Sequence, residues 1–284
     1  MWWNFTIILG GLVMENRKVA IVTGAASGIG RAICHELVTQ NVFVIIADIN
    51  EKDGKNVETE LNQKDIHSRF VRLDVTDYKN VEDVMTEIYE EFARLDYLFN
   101  NAGIAMYGEM YDMTIENWKN IMDINLWGVI HGTQIGYKLM KEQGFGHLVN
   151  TASAAGLGPS PVSSAYSTTK HAVVGLTTSL HYEAEAFGIK VSTLCPTFVD
   201  TPIFEKAPAI NINKSTLTNQ LKKQKMMTPQ QLAKLAIAGV HKNKPIICPM
   251  PMRRTMDVIF TIFPSLHRSL MRMVCKVSRK ARVS

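Results

Sequence analysis

The sequence contains no HExxH or CxxC spacing, and its four cysteines (Cys34, Cys195, Cys248 and Cys275) stand far apart. A disulfide framework and a zinc site with ordinary ligand spacing are excluded, so buried free thiols in a reducing compartment are expected. No metal is expected either. Residues 2–13 are apolar and uncharged, but as a helix they would span about 18 Å, short of a ~30 Å hydrocarbon core. They lack the leading positive charge and the small-residue end of a signal peptide. Three readings stay open for them: a packed or interfacial arm, a membrane-dipping anchor, or an extension ahead of a start at Met14. The body also lacks a basic stripe. Residues 253–284 hold eight bases and one acid, so the net charge of +5 leaves −2 for residues 1–252. Nucleic-acid binding is therefore not supported.

What is present reads as globular. Hydrophobic residues make up 46% and charged residues 20% of the 284, an ordinary composition for one large α/β domain. Residues 19–23 form a continuous β-branched run, as in a strand buried on both faces. They lead into TGAASGIG (23–30) and then a helical pattern over 31–40. Gly24, Gly28 and Gly30 let the backbone turn tightly and approach a pyrophosphate. The following helix start offers free amides and partial positive charge to that group. A second strand, 42–47, ends in Asp48, 18 residues after Gly30, where a carboxylate bonds both ribose hydroxyls of a dinucleotide. Asp48 would repel a 2′-phosphate, and Ala26, Ser27 and Ile49 bring no cation, so NAD is expected over NADP. Further strand-like runs at 69–73, 96–100, 146–151, 189–195 and 245–248 alternate with helical segments, the pattern of a parallel sheet.

The stretch 147–172 is the chemical centre. It opens as a buried strand, loosens through Gly156, Gly158, Pro159 and Pro161, and re-forms as a helix carrying Tyr166 and Lys170. Residues four apart share a helix face, so the Lys170 ammonium is expected near the Tyr166 phenol. A free phenol has a pKa near ~10, and moving it to neutrality takes roughly 4 kcal/mol. A held cation, helped by an oxidised nicotinamide, lowers it. Tyr-x-x-x-Lys alone also fits two unrelated surface residues, so its meaning comes from the surrounding motifs.

TGAASGIG, Asn100-Asn101-Ala102-Gly103 and the Ser153/Tyr166/Lys170 spacing together resemble the short-chain dehydrogenase/reductase family over roughly residues 17–250. The resemblance implies a single doubly wound Rossmann-type α/β domain (15–250) with a seven-stranded parallel sheet, after an apolar extension (1–14) and before a basic helical tail (251–284). It implies catalytic Asn125, Ser153, Tyr166 and Lys170. Tyr166 would exchange the substrate proton, Ser153 would orient the same oxygen, Lys170 would tune the phenol and bond the nicotinamide ribose, and Asn125 would hold a proton-relay water. Asn125 also fits a plain helix-interior amide within the pattern 115–141. Cofactor contacts are implied for Gly24, Ser27, Gly28, Ile29, Gly30, Asp48, Asp74, Val75, Asn101, Ala102, Gly103, Tyr166, Lys170, Pro196, Val199 and Thr201. Thr197 departs from the family's usual glycine and removes backbone freedom there.

The function so implied is NAD(P)-dependent hydride transfer between an alcohol and a ketone. Two alternatives are a dinucleotide-binding sensor or membrane scaffold without turnover, and a ketoacyl-thioester reductase. The residues expected on the substrate side are apolar (Ile104, Ala105, Met106, Tyr107, Met110, Leu157, Val162, Phe198, Ile203, Phe204), suggesting a lipophilic alcohol, steroid-like, retinoid-like or long-chain. Residues 205–227, with five lysines, read as a lid, and Thr228-Pro229 with Gln231 as the capped start of a helix. The tail gives two helical patterns split by Pro264. Leu266, Leu270, Met273 and Val277 make one stripe, with Arg268, Arg272, Lys276 and Arg279 opposite. That pattern suits either an anionic membrane or packing on protein. A homodimer or homotetramer in the cytoplasm, with a peripheral membrane contact, completes the expectation.

Overall fold

In the computed structural model, the described residues are 8–9, 12–13, 17–63, 65–216, 219, 226–250 and 253–283. Seven parallel strands run in the order β3-β2-β1-β4-β5-β6-β7. They are β1 (Lys18–Thr23), β2 (Val42–Asp48), β3 (Ser68–Arg72), β4 (Tyr97–Asn100), β5 (Gly146–Thr151), β6 (Ile189–Leu194) and β7 (Ile246–Ile247). All seven expected strands are therefore present, with ends shifted by one or two residues. The strand order reverses between β1 and β4, and this is where open α/β sheets bind ligands beyond their carboxyl ends. Of the N-terminal stretch only a short antiparallel hairpin backbone, Ile8–Leu9 with Leu12–Val13, falls among the described residues. Its three open readings lie outside them.

The central strands are buried on both sides because alternate residues serve different layers. Ala20, Val22, Val44 and Ile46 pack with α1 (Gly28–Val38) and α8 (Pro229–His241). Val19, Ile21, Phe43 and Ile45 face the opposite way, onto α3 (Tyr78–Phe92) and α5 (Gly128–Gln143). The remaining elements are α2 (Glu51–Leu61), α4 (Ile115–Met122), α6 (Ser164–Glu183), α7 (Ile203–Lys206), α9 (Arg253–Ile262) and α10 (Pro264–Arg279). The α8 cap forms as the sequence dictates: Gln231 N donates to Thr228 Oγ1 at 3.2 Å, and Thr228 N donates to Gln231 Oε1 at 3.0 Å.

Several polar groups inside the sheet are linked in a ladder, although Asn100 Oδ1 and Thr193 Oγ1 have no partner among the described residues. Asn100 Nδ2 donates to Asn150 Oδ1 (2.8 Å) and Thr133 Oγ1 (3.1 Å), and Asn150 Nδ2 donates to Thr177 Oγ1 (3.1 Å). Gly132 of α5 sits over Asn100, where a Cβ would come within 2.1 Å of Asn100 Oδ1.

His147 on β5 is equally enclosed, its Nε2 lying 2.9 Å from Ser192 Oγ. Burial, then Lys190, hold its pKa down at about 3. An unfolded histidine binds its proton near pH 6.5, so the unfolded chain gains a proton that the folded chain refuses. Stability should therefore fall as pH drops from about 6.5 toward 3, by up to roughly 1.4 kcal/mol per pH unit from this residue. Denaturant unfolding at pH 7 and pH 5 should show His147→Gln with a smaller loss than the parent. Equal losses would remove His147 as the cause.

Candidate active site

Every expected site residue lies at the carboxyl edge of the sheet. The first turn, 23–30, leaves β1 with Gly24 at φ +64° and Gly28 at φ +53°, the left-handed region that favours glycine. At Gly30 space is the constraint: a Cβ would stand 2.3 Å from the Gly24 carbonyl oxygen and 2.7 Å from Asn101 Nδ2. Ser27 is the N-cap of α1 but makes no side-chain capping bond. The turn thus presents a helix start with no acidic residue in its first turn, a cradle suited to a phosphate. Ile29 packs partly into the core behind it.

Asp48, at the end of β2, is fixed by two backbone donors. Ala26 N reaches one carboxylate oxygen and Asn50 N the other, each at 2.9 Å. This ties the acid to the glycine turn and leaves a half-exposed carboxylate beside it, an acceptor that fits ribose hydroxyls. Sequence reasoning missed Arg72, which stands in register with Asp48 on β3. Only the sheet order, which no local pattern reveals, makes them neighbours.

After β4, Asn101 N and Ala102 N donate to Thr23 Oγ1 at 2.9 and 3.0 Å, and Asn101 Nδ2 donates to Thr23 O at 3.1 Å. These bonds seat the 101–103 backbone on the glycine turn, where a Cβ on Gly24 would meet Ala102 Cα at 2.7 Å. Asp74 spends one carboxylate oxygen on Thr76 N and Oγ1 (2.9 and 2.7 Å), and Val75 packs on Gly128. Both lie just past the end of β3, and Val75 reaches across to the start of α5.

The 196–202 segment folds over the same turn. Pro196 O accepts from Ala154 N at 2.8 Å, Val199 is buried, and Thr201 Cβ and Cγ2 would meet a Cβ on Gly28 at 3.3 Å. Thr197 fits without strain, since it is not among the residues with positive φ.

Ser153, Tyr166 and Lys170 converge above β5. The Ser153 hydroxyl lies close enough to the Tyr166 hydroxyl to pull its pKa down, and Ser153 Oγ accepts from Ala155 N at 3.1 Å. Gly156 makes the approach feasible, because a Cβ there would lie 2.4 Å from the Lys170 carbonyl oxygen. Lys170 is 4% exposed, with Nζ donating to Thr151 O at 2.9 Å and lying 5.7 Å from the Tyr166 ring centre. Burial raises the Tyr166 pKa, the Ser153 hydrogen bond pulls it partly back, and Lys170 is not among the causes. Burial also brings Lys170 down to about 8, which leaves its ammonium largely protonated at neutral pH.

Asn125 occupies a turn that the periodicity did not predict. The single helix expected over 115–141 is interrupted by a π-turn, Asp123–Trp127, between α4 and α5. Such insertions recur at functional sites. Here the turn aims Asn125 at Ile104, whose N–H it accepts and whose carbonyl it donates to, both at 2.8 Å; Nδ2 also lies 3.3 Å from Thr169 Oγ1. The amide is thus satisfied by backbone, clamping the start of the substrate-side loop. A Cβ on Gly103 would lie 3.1 Å from Asn125 Oδ1 and 3.5 Å from Lys170 Nζ, which places the three together.

The substrate-side expectation divides. Ala105 and Met106 are core, with Met106 packed beside Ile121, Trp118 and Tyr166. Leu157 packs against the buried cluster of Val129, Ala152, Val173 and Cys195. Tyr107 and Val162 line a second small cluster, while Met110 and Phe198 are exposed. Part of the expected lid, 217–218 and 220–225, lies outside the described residues.

The chain belongs to the short-chain dehydrogenase family: the family model described as short chain dehydrogenase matches residues 18–211. It is an NAD(P)-dependent oxidoreductase of that family. An uncharacterized oxidoreductase of Staphylococcus epidermidis is 34% identical over 188 residues, covering 66% of this chain and 80% of that protein. Mouse 15-hydroxyprostaglandin dehydrogenase [NAD(+)] is 36% identical over 197 residues, covering 67% and 70%. Among solved structures, a short chain dehydrogenase/reductase from Burkholderia phymatum in complex with NAD superposes with a TM-score of 0.81 at 27% identity, covering 89% of this chain and 95% of that one. ElxO with NADP bound gives 0.71 at 25% identity, covering 82% and 97%.

Proposed function

We propose that the protein interconverts a lipophilic secondary alcohol and its ketone, with NAD preferred over NADP. The observation that carries this reading is the convergence of the Ser153 and Tyr166 hydroxyls with Lys170, whose Nζ lies 5.7 Å from the Tyr166 ring centre. When bound, the dinucleotide supplies the hydride acceptor or donor and, in its oxidised form, a further positive charge. Tyr166 exchanges a proton with the substrate oxygen at Oη. Ser153, anchored by Ala155 N, orients that oxygen. Lys170 buries a donor beneath the phenol and is placed to meet the nicotinamide ribose. Asn125 holds the Ile104 backbone that borders the substrate.

NAD preference rests on Asp48, whose clamped carboxylate suits ribose hydroxyls and repels a phosphate. The lipophilic class rests on the apolar groups around Tyr166, namely Ile104, Met113 and Trp118, with Tyr107 and Val162 beyond them. The mouse relative, named for NAD(+) and a hydroxyprostaglandin, supports both. A homodimer or homotetramer is the proposed assembly, through the α5 and α6 faces that leave Trp127 and Tyr182 exposed. Following nicotinamide absorbance over steroids, retinoids, fatty alcohols, hydroxylated fatty acids and β-ketoacyl thioesters tests the reading. Turnover confined to thioesters would replace it with the reductase alternative, and none on any class would favour the sensor.

A further inference from the structure

The C-terminal helices leave an unpartnered apolar surface. Among its exposed side chains are Val258, Ile262 and Phe263 from α9 and its end, and Leu266, Met273 and Val277 from α10. Phe260 and His267 stack across the junction at 4.7 Å and hold the two helices together. The expected stripe on α10 is therefore real, and three of its four members are exposed, with Leu270 half-buried. The expected basic face needs one correction. Arg279 is not free: its guanidinium makes a two-pronged pair with Glu109 at 2.9 and 3.0 Å. Arg268, Arg272, Lys276 and Lys280 remain exposed, without an ion-pair partner among the described residues.

The Arg279 pair belongs to a latch that fixes this surface relative to the active site. Asn213 N donates to Ala281 O (2.6 Å) and Val283 N to Asn211 O (3.0 Å), zipping the chain end onto 211–213. Ile210 N donates in turn to Tyr107 O (2.8 Å), and Gly108 N to Val162 O (2.9 Å), just ahead of α6. Ala281 and Ile212 bury against Tyr107 and Val162. The helices are thus joined through two short segments to the loop beside Tyr166.

We propose that α9 and α10 form a docking face for an anionic lipid surface, with the latch holding the substrate side next to the membrane. Charge decides between this and the rival occupant, a second copy. Two copies meeting through this face would bring together two segments that each carry eight bases and one acid, whereas an anionic leaflet complements them. Exposed apolar side chains flanked by Arg and Lys are the side-chain chemistry of helices that lie in a bilayer interface.

The test uses the full chain with vesicles of phosphatidylcholine, with and without phosphatidylserine, followed by sedimentation. Binding is expected only with phosphatidylserine, and high salt should release it. Each cation near an anionic leaflet is worth about fivefold in affinity, so Arg268→Gln/Arg272→Gln/Lys276→Gln should weaken binding about a hundredfold. Leu266→Ser/Met273→Ser should weaken it at least tenfold, and both variants should keep the parent's dinucleotide affinity. Failure of the parent to bind phosphatidylserine vesicles in a salt-reversible way overturns the proposal. So does binding that neither variant changes. If the serine variant instead halves the mass seen by light scattering while the parent ignores vesicles, the face is an interface between copies. The assay needs no turnover, so its outcome is independent of the substrate reading.

Discussion

Tyr166→Phe should lower turnover on an identified substrate by about a hundred- to ten-thousandfold, the usual range for a positioned acid or base, while dinucleotide affinity stays within about twofold. The substitution removes one oxygen from a ring that Ile104, Met106 and Trp118 already pack, so the fold has little to lose. Ser153 loses a hydrogen-bond partner but keeps the one from Ala155 N. A variant that retains near-normal turnover would overturn the role given to this hydroxyl. The pH dependence carries a sign of its own. Because burial raises the Tyr166 pKa, the hydroxyl is protonated at neutral pH and ready to donate. Ketone reduction should hold level through neutrality, whereas alcohol oxidation, which needs the phenolate, should climb as pH rises. Steady-state rates in both directions from pH 6 to pH 9.5 check this, and matching profiles would argue against a single tyrosine serving both.

Asp48→Ala should weaken NAD binding by about ten- to a hundredfold, since hydrogen bonds to a charged group are worth roughly 1.5–3 kcal/mol. It should bring NADP closer to NAD or past it, because the charge opposing a 2′-phosphate is gone and Arg72 stands on the adjoining strand. The KM ratio for the two dinucleotides reads both effects at once. Part of the loss will be structural, as Ala26 N and Asn50 N give up their acceptor. Asp48→Asn is the milder comparison: it removes the charge and keeps an acceptor for one of the two backbone N–H groups, Ala26 N or Asn50 N. An unchanged NAD/NADP ratio in both variants would mean that Asp48 does not set the preference.

The fold was largely legible because the first two strands are continuous apolar runs rich in Val and Ile. Residues 19–23 and 42–47 are buried on both faces, so no alternation hid them from a reading of composition. The site was legible as well, since its parts lie just beyond strand ends in a fixed order. What stayed hidden depended on three dimensions. The extra residue at Asp123–Trp127 re-aims Asn125, yet it barely disturbs the spacing of apolar residues along the helix. The sign of the Tyr166 shift follows from enclosure, which four-residue spacing does not encode. Met106 and Met110 look alike in a string, but one lies under Tyr166 and the other in solvent. Arg279 read as one more cation on a polar face because its acid lies 170 residues earlier.

That separation bears on how the enzyme is made. The glycine turn, the ribose acid and the Ser153–Tyr166 pair are all translated well before the final residues that brace Tyr107. A nascent chain can therefore acquire its nucleotide cradle while the wall facing the second reactant is still unfinished, and synthesis must pass residue 283 before that wall is braced. Proteolytic loss of residues 279–283 would undo the same brace, leaving a protein that keeps its nucleotide cradle while the wall around Tyr107 loosens.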